Sequence, residues 1–407
     1  MSNLLTDFLN FAKINTRSDE ASETIPTTKG QIELAHVVEE RLKEIGLDHI
    51  QFYDKNCFVI GRLAGQVDKE AIGFIAHFDT ADYNAENIKP IVWENYTGED
   101  LLLNKNLGVY LRTSEFPNLF DYVGETLITT SGDTLLGADD KAGIAEILGL
   151  LEYYRDHPDI SRGDIWVAFG PDEEIGRGAD RFEVTDFPVA FAYTIDSGRV
   201  GHFEYETFNA AKIDIEIQGT AVHTGTAYGQ LVNAIKLGEA IDQALPQDEV
   251  PEKTRGYEGF YFLHDFVGSN GKAELSYIIR DHDSEQFAER KKILIDIINN
   301  LNQSLDRERI TYTIKDQYYN MRQVIDKHPE VVDLAVTAMK NLGIEPVVEP
   351  FRGGTDGSKI SLKGIPIPNI FTGGENFHGQ FEFITLEAME KARDTLIEIV
   401  RLNGEKE

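Results

Sequence analysis

Cysteine is almost absent from this chain of 407 residues, which contains only Cys57. One cysteine excludes an internal disulfide framework, and its place beside Phe58 and Val59 favours a small buried side chain over a nucleophile. The chain also lacks an apolar run long enough to span a membrane. Residues 1–10 are typical of a capped amphipathic helix and not of a secretory signal. We therefore predict a soluble, cytoplasmic protein.

Basic residues are scarce, because 39 lysines and arginines stand against 70 aspartates and glutamates, giving a formal net charge of −31. This charge disfavours nucleic acid and anionic membranes as partners. It is compatible with attraction of metal cations and of a peptide's ammonium end, although solubility alone explains it. At 407 residues the chain exceeds the length at which a single hydrophobic core keeps growing, so two domains are expected. Its hydrophobic content of 41% supports packed cores.

Short apolar runs alternate with helical patterns, and several of the runs end in acidic residues or histidine. The runs and the polar residues that follow them are Ala71–Ala76 before His77 and Asp79, Ile165–Phe169 before Glu173 and Glu174, and Val189–Ile195 before Asp196. Such alternation predicts an α/β fold with a mixed, largely parallel sheet. Open sheets bind ligands at the carboxyl ends of their strands, which is where these side chains fall.

Two further segments complete a candidate ligand set. Asp139 precedes a helical pattern, and His378 stands on a glycine-rich loop after another apolar segment. The full set is His77, Asp139, Glu174, Asp196 and His378. Two imidazoles and three carboxylates suit a pair of borderline divalent ions that share one carboxylate, better than one closed tetrahedral site.

Glu173 and Glu174 are adjacent carboxylates, which by themselves are typical of a solvated loop or helix start. Together with the other candidate ligands, the two glutamates can take different roles in a hydrolase. One carboxylate can hold a metal while its neighbour takes a proton from metal-bound water.

The pattern of apolar and polar residues changes near Thr207. Ile213, Ile215 and Ile217 alternate with polar residues, as in a strand with one buried face. A helix is predicted from about residue 229 to 245, then strands near 257–266 and 273–281, a helix near 284–305 and a strand at 310–314. This β-α-β-β-α-β order predicts a small two-layer domain at 207–316, inserted between catalytic-domain segments 1–206 and 317–407.

The chain resembles a superfamily of zinc hydrolases that includes carboxypeptidase G, aminoacylase and succinyl-diaminopimelate desuccinylase, and within it a family of tripeptide aminopeptidases. The motifs shared with the superfamily are His77–Thr80, Gly137–Gly143, Pro171–Gly176, Thr194–Gly198 and Phe377–Gly379. Those typical of the tripeptide aminopeptidases are Gly256–Tyr261, Tyr277–Asp281, Tyr318–Arg322, Arg352–Gly357 and Asn369–Gly374. Together they span nearly the whole chain in order.

This resemblance implies two zinc ions per subunit, bridged by Asp139. His77 and Asp196 would complete one ion's ligands, and Glu174 and His378 those of the other. The resemblance also implies that Glu173 is the general base and that Asp79 fixes the tautomer of His77. A cis peptide bond between Asp139 and Asp140 belongs to the same pattern.

The inserted domain would serve as a lid and, as in many members of the superfamily, as the surface of a homodimer. Its His223 would reach the partner subunit's site and stabilise the oxyanion, although a lone loop histidine is usually just solvated. Asn233, Arg280 and Arg352 are candidates for binding the substrate carboxylate. For Arg352, a structural role in the tight turn at the glycines that follow it is an equal alternative.

The resulting prediction is a cytoplasmic zinc aminopeptidase that removes the first residue of tripeptides, with a metal-bound water as the nucleophile. A dipeptidase, carboxypeptidase or N-acyl-amino-acid deacylase could use the same metal site. A non-catalytic protein that keeps metal for structure is the alternative from another class. Glu173 argues against that alternative, because a structural site needs no unliganded base.

Overall fold

A computed structural model describes residues 3–405, which form two compact units. The first unit contains the described chain up to Tyr205, the segment Met321–Glu349 and the described chain from Thr355 onward. The second contains Glu206–Asn320 and Pro350–Gly354.

Helices and strands alternate through much of the described chain, in both units. The helices are α1 Leu4–Ala12, α2 Lys29–Ile45, α3 Ala138–Asp156, α4 Ala234–Ala244, α5 Ser284–Ser304, α6 Arg322–Ile325, α7 Pro329–Asn341, α8 Asp356–Ser361 and α9 Leu386–Glu405. The strands are β1 His49–Tyr53, β2 Phe58–Leu63, β3 Ile72–His77, β4 Ile91–Trp93, β5 Leu101–Asn104, β6 Val109–Leu111, β7 Leu127–Thr129, β8 Ile165–Gly170, β9 Phe191–Ser197, β10 His202–Glu204, β11 Asn209–Gln218, β12 Phe260–Gly268, β13 Lys272–Asp281, β14 Ile310–Tyr318, β15 Val347–Val348, β16 Asn369–Phe371 and β17 Phe383–Thr385.

The main sheet of the first unit has the strand order β1-β2-β8-β3-β9-β16-β10-β15. At its centre β3 is parallel to both β8 and β9, and β9 is parallel to β16. The pairs β1–β2, β2–β8 and β10–β16 are antiparallel. This mixed α/β sheet confirms the predicted fold class, and it brings the carboxyl ends of β3, β8, β9 and β16 to one edge.

Helix α3 packs on this sheet and is buried on nearly every side. The residues whose spacing indicated a helix are all buried: Ile144, Ile147, Leu148 and Leu151. Burial of each such side chain contributes about 1.5–3 kcal/mol. Gly143 permits the close approach to β9, because a Cβ atom there would lie 2.3 Å from the carbonyl oxygen of Ile195.

The second unit is a four-stranded antiparallel sheet, β12-β13-β11-β14, packed against α4 and α5. Ile213, Ile215 and Ile217 of β11 are buried, whereas Asp214 and Glu216 between them are exposed, as the alternation predicted. The element order is the predicted β-α-β-β-α-β. Helix α4 begins at Ala234 and not near residue 229, because the preceding residues form a turn that pairs Thr220 with Val232.

Residues 350–354 group with the second unit, although the predicted boundaries placed them in the catalytic domain. The reason is backbone pairing. Phe351 donates its N–H to the carbonyl oxygen of Glu206 at 2.9 Å, and Phe208 donates to that of Gly353 at 3.3 Å. These contacts link positions far apart in sequence, so no local pattern indicates them.

The single cysteine and the lack of a long apolar run in the sequence each have a counterpart in the structure. Cys57 is buried, and burial raises the pKa of its thiol to about 12, which agrees with a packing role. Among residues 3–405, no helix combines the length and the apolar character needed to cross a membrane.

Candidate active site

The five predicted ligand residues come together in the first unit as two overlapping groups. One group contains His77, Asp139 and Asp196, and the other contains Asp139, Glu174 and His378. Within each group the candidate ligand atoms all lie within 4.8 Å of one another. Asp139 belongs to both groups, which is the arrangement that a shared carboxylate requires.

Each histidine lies between Asp139 and a second carboxylate. His77 Nε2 is 3.0 Å from Asp139 Oδ1 and 3.3 Å from Asp196 Oδ1. His378 Nε2 is 2.9 Å from Asp139 Oδ2 and 3.2 Å from Glu174 Oε1. The two oxygens of Asp139 therefore face different imidazoles.

Chain topology explains this convergence. His77 is the last residue of β3, Asp196 is the penultimate residue of β9, and Glu174 lies in the turn after β8. His378 follows β16 on a loop, in the left-handed region at φ 65°. The adjacent parallel strands bring these positions to one edge of the sheet.

Asp139 is held differently, at the beginning of α3. Its φ and ψ of −83° and 104° are not helical, and neither are those of Asp140. The peptide bond between the two residues is cis, as the family resemblance implied.

The electrostatics of the site fit a pair of cations. Burial raises the pKa of Asp196 and of Glu174 to about 7, and the nearby Asp139 charge contributes to both shifts. Burial alone would disfavour a protonated His77, but Asp196 and Asp139 outweigh it and raise its pKa well above the ordinary range. Glu174 Oε1 is buried without a well-aligned hydrogen bond. Divalent ions would supply the missing positive charge to this donor set.

Glu173 belongs to neither ligand group among the described residues. Burial raises the pKa of its carboxyl well above the ordinary range, and the negative charge of Asp196 adds to the shift. Asp356 acts in the same direction from α8. A carboxyl that resists ionisation is suited to accepting a proton, provided that nearby cations stabilise its charged form.

Asp79 contacts both the first histidine and the glutamate pair. Its carboxylate accepts hydrogen bonds from the N–H of Glu173 at 2.9 Å and of Glu174 at 3.1 Å. His77 Nδ1 lies 3.4 Å from Asp79 Oδ1 but 3.1 Å from the carbonyl oxygen of Asp79. The nearer acceptor for the imidazole is thus the backbone, while the side chain fixes the turn that carries Glu173.

Asp172 is a supporting residue that the sequence analysis did not identify. It lies in the left-handed region at φ 58°, which residues other than glycine rarely adopt. Its buried carboxylate accepts hydrogen bonds from Gln31 Nε2 at 2.9 Å, from Thr27 and from Arg181 at 3.1 Å. Thr27 and Gln31 are remote from Asp172 in sequence, so the position of Asp172 beside the glutamates was its only signal.

His223 and Asn233 both lie in the second unit, in the segment between β11 and α4. His223 is exposed, and its Nδ1 accepts a hydrogen bond from the N–H of Gly225 at 3.1 Å. Asn233 caps α4, since its side chain accepts a hydrogen bond from the N–H of Ile235. Their proposed roles toward substrate stay predictions.

The two predicted arginines also belong to the second unit. Arg280 donates to Gln317 Oε1 at 2.9 Å and lies 5.2 Å above the ring of Tyr318. The Arg352 guanidinium has three protein acceptors at 2.8–2.9 Å, namely two carbonyl oxygens and one threonine hydroxyl. These contacts hold Arg352 against residues 254–258, and substrate binding by Arg280 and by Arg352 stays a prediction.

Residues 135–402 match a family model described as Peptidase family M20/M25/M40. The chain belongs to this family. It is a metallopeptidase, as the resemblance implied.

Individual known proteins match this chain over nearly their full length. The chain is 52% identical over 407 residues to peptidase T of Fusobacterium nucleatum subsp. nucleatum, covering 100% of this chain and 98% of that protein. A Staphylococcus aureus tripeptidase structure has a TM-score of 0.81 at 21% identity and covers 99% and 98% of the two chains. A Bacillus subtilis structure, described as a dinuclear metal-binding M20 peptidase, has a TM-score of 0.65 at 14% identity and covers 98% and 97%.

The contacts of Asp79 lead to a testable prediction. Asp79→Asn keeps the size of the side chain but turns an NH₂ group toward the backbone N–H of Glu173 or Glu174. We expect a loss of about 10 to 100-fold in zinc affinity or in peptide hydrolysis, measured by chelator competition and by turnover. Asp100→Asn is a matched control, because Asp100 also accepts a backbone N–H, from Thr113 at 2.9 Å. Unchanged affinity and turnover in Asp79→Asn would refute the positioning role.

Proposed function

We propose that this metallopeptidase removes the amino-terminal residue from tripeptides. The observation that carries the proposal is the full-length match to peptidase T at 52% identity. The two ligand groups joined by Asp139, with Glu173 outside both, support hydrolysis as the reaction. The S. aureus tripeptidase of the same fold supports a short peptide as the substrate.

The residues of the first unit fit two zinc ions. His77 and Asp196 would hold one ion, Glu174 and His378 the other, and Asp139 would contact both. Bound zinc lowers the pKa of water toward about 7 and polarises a carbonyl group. The dinuclear description of the B. subtilis protein supports the proposed number of ions.

Glu173 would accept the proton from the attacking water and pass it to the leaving amine. This transfer requires a fixed carboxylate, and the turn that carries Glu173 is held from two sides. Asp79 accepts its backbone N–H, and Asp172, the preceding residue, is anchored by Gln31 and Arg181. The chain's proposed contribution to catalysis is therefore a preoriented base near the candidate ligands Asp196 and His77.

The substrate and assembly parts of the proposal rest on resemblance to the family. Asn233, Arg280 and Arg352 would bind the peptide carboxylate. His223 would stabilise the oxyanion of a partner subunit's reaction, which requires a homodimer. A cytoplasmic location completes the proposal.

The requirement for a free amino group separates the proposed activity from its alternatives. We expect hydrolysis of a free tripeptide at its first peptide bond and no hydrolysis of the same tripeptide acetylated at its amino end. Product analysis by mass spectrometry identifies the cleaved bond, with the corresponding dipeptide as the length control. Release of acetate or of the last residue would instead assign a deacylase or a carboxypeptidase. Equal rates for the dipeptide would contradict the tripeptide preference.

The roles of the glutamate pair can be separated by amide substitutions. Glu173→Gln should retain about two zinc ions per chain but lose about 10²–10⁴ in kcat, because general-base catalysis contributes a factor of that size. Glu174→Gln is the matched variant, and it should lose zinc because it removes a ligand. Zinc content by atomic emission and turnover of a tripeptide provide the measurement. Near-normal turnover of Glu173→Gln would overturn the assignment of the base.

A further inference from the structure

Glu382 is a buried carboxylate that the proposed reaction does not use. It precedes β17 directly, and only 1% of its surface is exposed. Its two oxygens accept hydrogen bonds from four consecutive backbone N–H groups. Oε2 accepts from Leu136 at 2.8 Å and Gly137 at 3.0 Å, and Oε1 accepts from Ala138 at 2.7 Å and Asp139 at 3.2 Å.

These N–H groups stand at the beginning of α3, where a helix leaves its first donors without intrahelical partners. The backbone there is also irregular, because Asp139 and the residue after it leave the helical conformation. The regular intrahelical hydrogen bonds therefore cannot fix the orientation of Asp139. The carboxylate of Glu382 accepts the N–H groups that these intrahelical bonds leave without a partner at the start of α3.

The backbone of Glu382 is tied to the loop that carries His378. Glu382 donates its N–H to the carbonyl oxygen of Gly379 at 3.2 Å. The next residue, Phe383, exchanges two backbone hydrogen bonds with Glu375, at 2.8 and 3.1 Å. The chain on both sides of His378 is thus joined to the short segment that contains Glu382.

Glu382 therefore contacts the backbone of Asp139 and that of Gly379, the residue after His378. The two candidate ligands Asp139 and His378 are 239 positions apart in sequence. We propose that Glu382 is a positioning residue that holds Asp139 in register with His378 before metal binds, and thereby sets the metal affinity of the site. The inference rests on the proposed role of Asp139 as a ligand. A residue that only stabilised the fold would not change the affinity of the folded protein.

Glu382→Gln tests this proposal because an amide has one acceptor oxygen. Its NH₂ group would face two N–H donors at the start of α3. Glu387→Gln is the matched control, since Glu387 also accepts a backbone N–H, from Thr126 at 2.8 Å, without contacting a candidate ligand. Two quantities are measured: the zinc affinity of the folded protein by chelator competition, and amide hydrogen exchange of residues 136–139 in the metal-free protein.

We expect Glu382→Gln to bind zinc about 10 to 100-fold more weakly and to exchange faster at residues 136–139. Glu387→Gln should match the unsubstituted protein in both measurements. Glu382→Asp keeps the charge but shortens the reach, so it should show an intermediate loss of affinity. It also decides the test if Glu382→Gln does not fold.

Unchanged zinc affinity in the folded variants would overturn the positioning role. Failure of both Glu382 variants to fold would overturn it as well, because it would assign Glu382 to stability of the fold. Asp139→Asn separates this outcome from failure of the proposed function. If Asp139→Asn binds zinc as tightly as the unsubstituted protein, then Asp139 is not a ligand and the metal site itself is wrong.

Discussion

The carboxylate of Asp139 contacts two histidines, one at each oxygen, and the rest of the site is arranged around this contact. The imidazoles come from the end of β3 and from a loop near the end of the chain, at 3.0 and 2.9 Å. Neither contact can form unless α3 begins at the carboxyl edge of the main sheet. The burial of α3 and its close approach to β9 at Gly143 are therefore requirements of the site as well as of the core.

The acidic composition has a structural meaning that net charge alone does not reveal. Asp79 and Glu382 are buried, and each accepts backbone N–H groups from a segment that carries a candidate ligand or the candidate base. Such donors stabilise a buried carboxylate through charge-assisted hydrogen bonds. Hence a chain with 39 basic and 70 acidic residues can bury carboxylates around its site while leaving the imidazoles for the ligand groups.

Much of this arrangement could be predicted from sequence, because strand ends and helix starts have local signatures. His77, Glu174 and Asp196 follow or end apolar runs, and the period of β11 was visible in alternating isoleucines. The hydrogen bonds that hold the site's backbone in place had no such local signature in the sequence. The hydrogen bonds of Glu382 to residues 136–139, and of Arg352 to carbonyl groups near residue 256, join segments that are distant in the chain. Local patterns indicate where a side chain stands but not which remote backbone group it will meet.

Anomalous X-ray scattering from crystals of the zinc-loaded protein, recorded at the zinc absorption edge, tests most directly whether Asp139 joins two bound ions. Two peaks are predicted, each about 2.0–2.2 Å from one oxygen of Asp139. One peak should lie beside His77 and Asp196, and the other beside Glu174 and His378. A single peak, or two peaks that Asp139 does not contact, would contradict a shared carboxylate at the centre of the site.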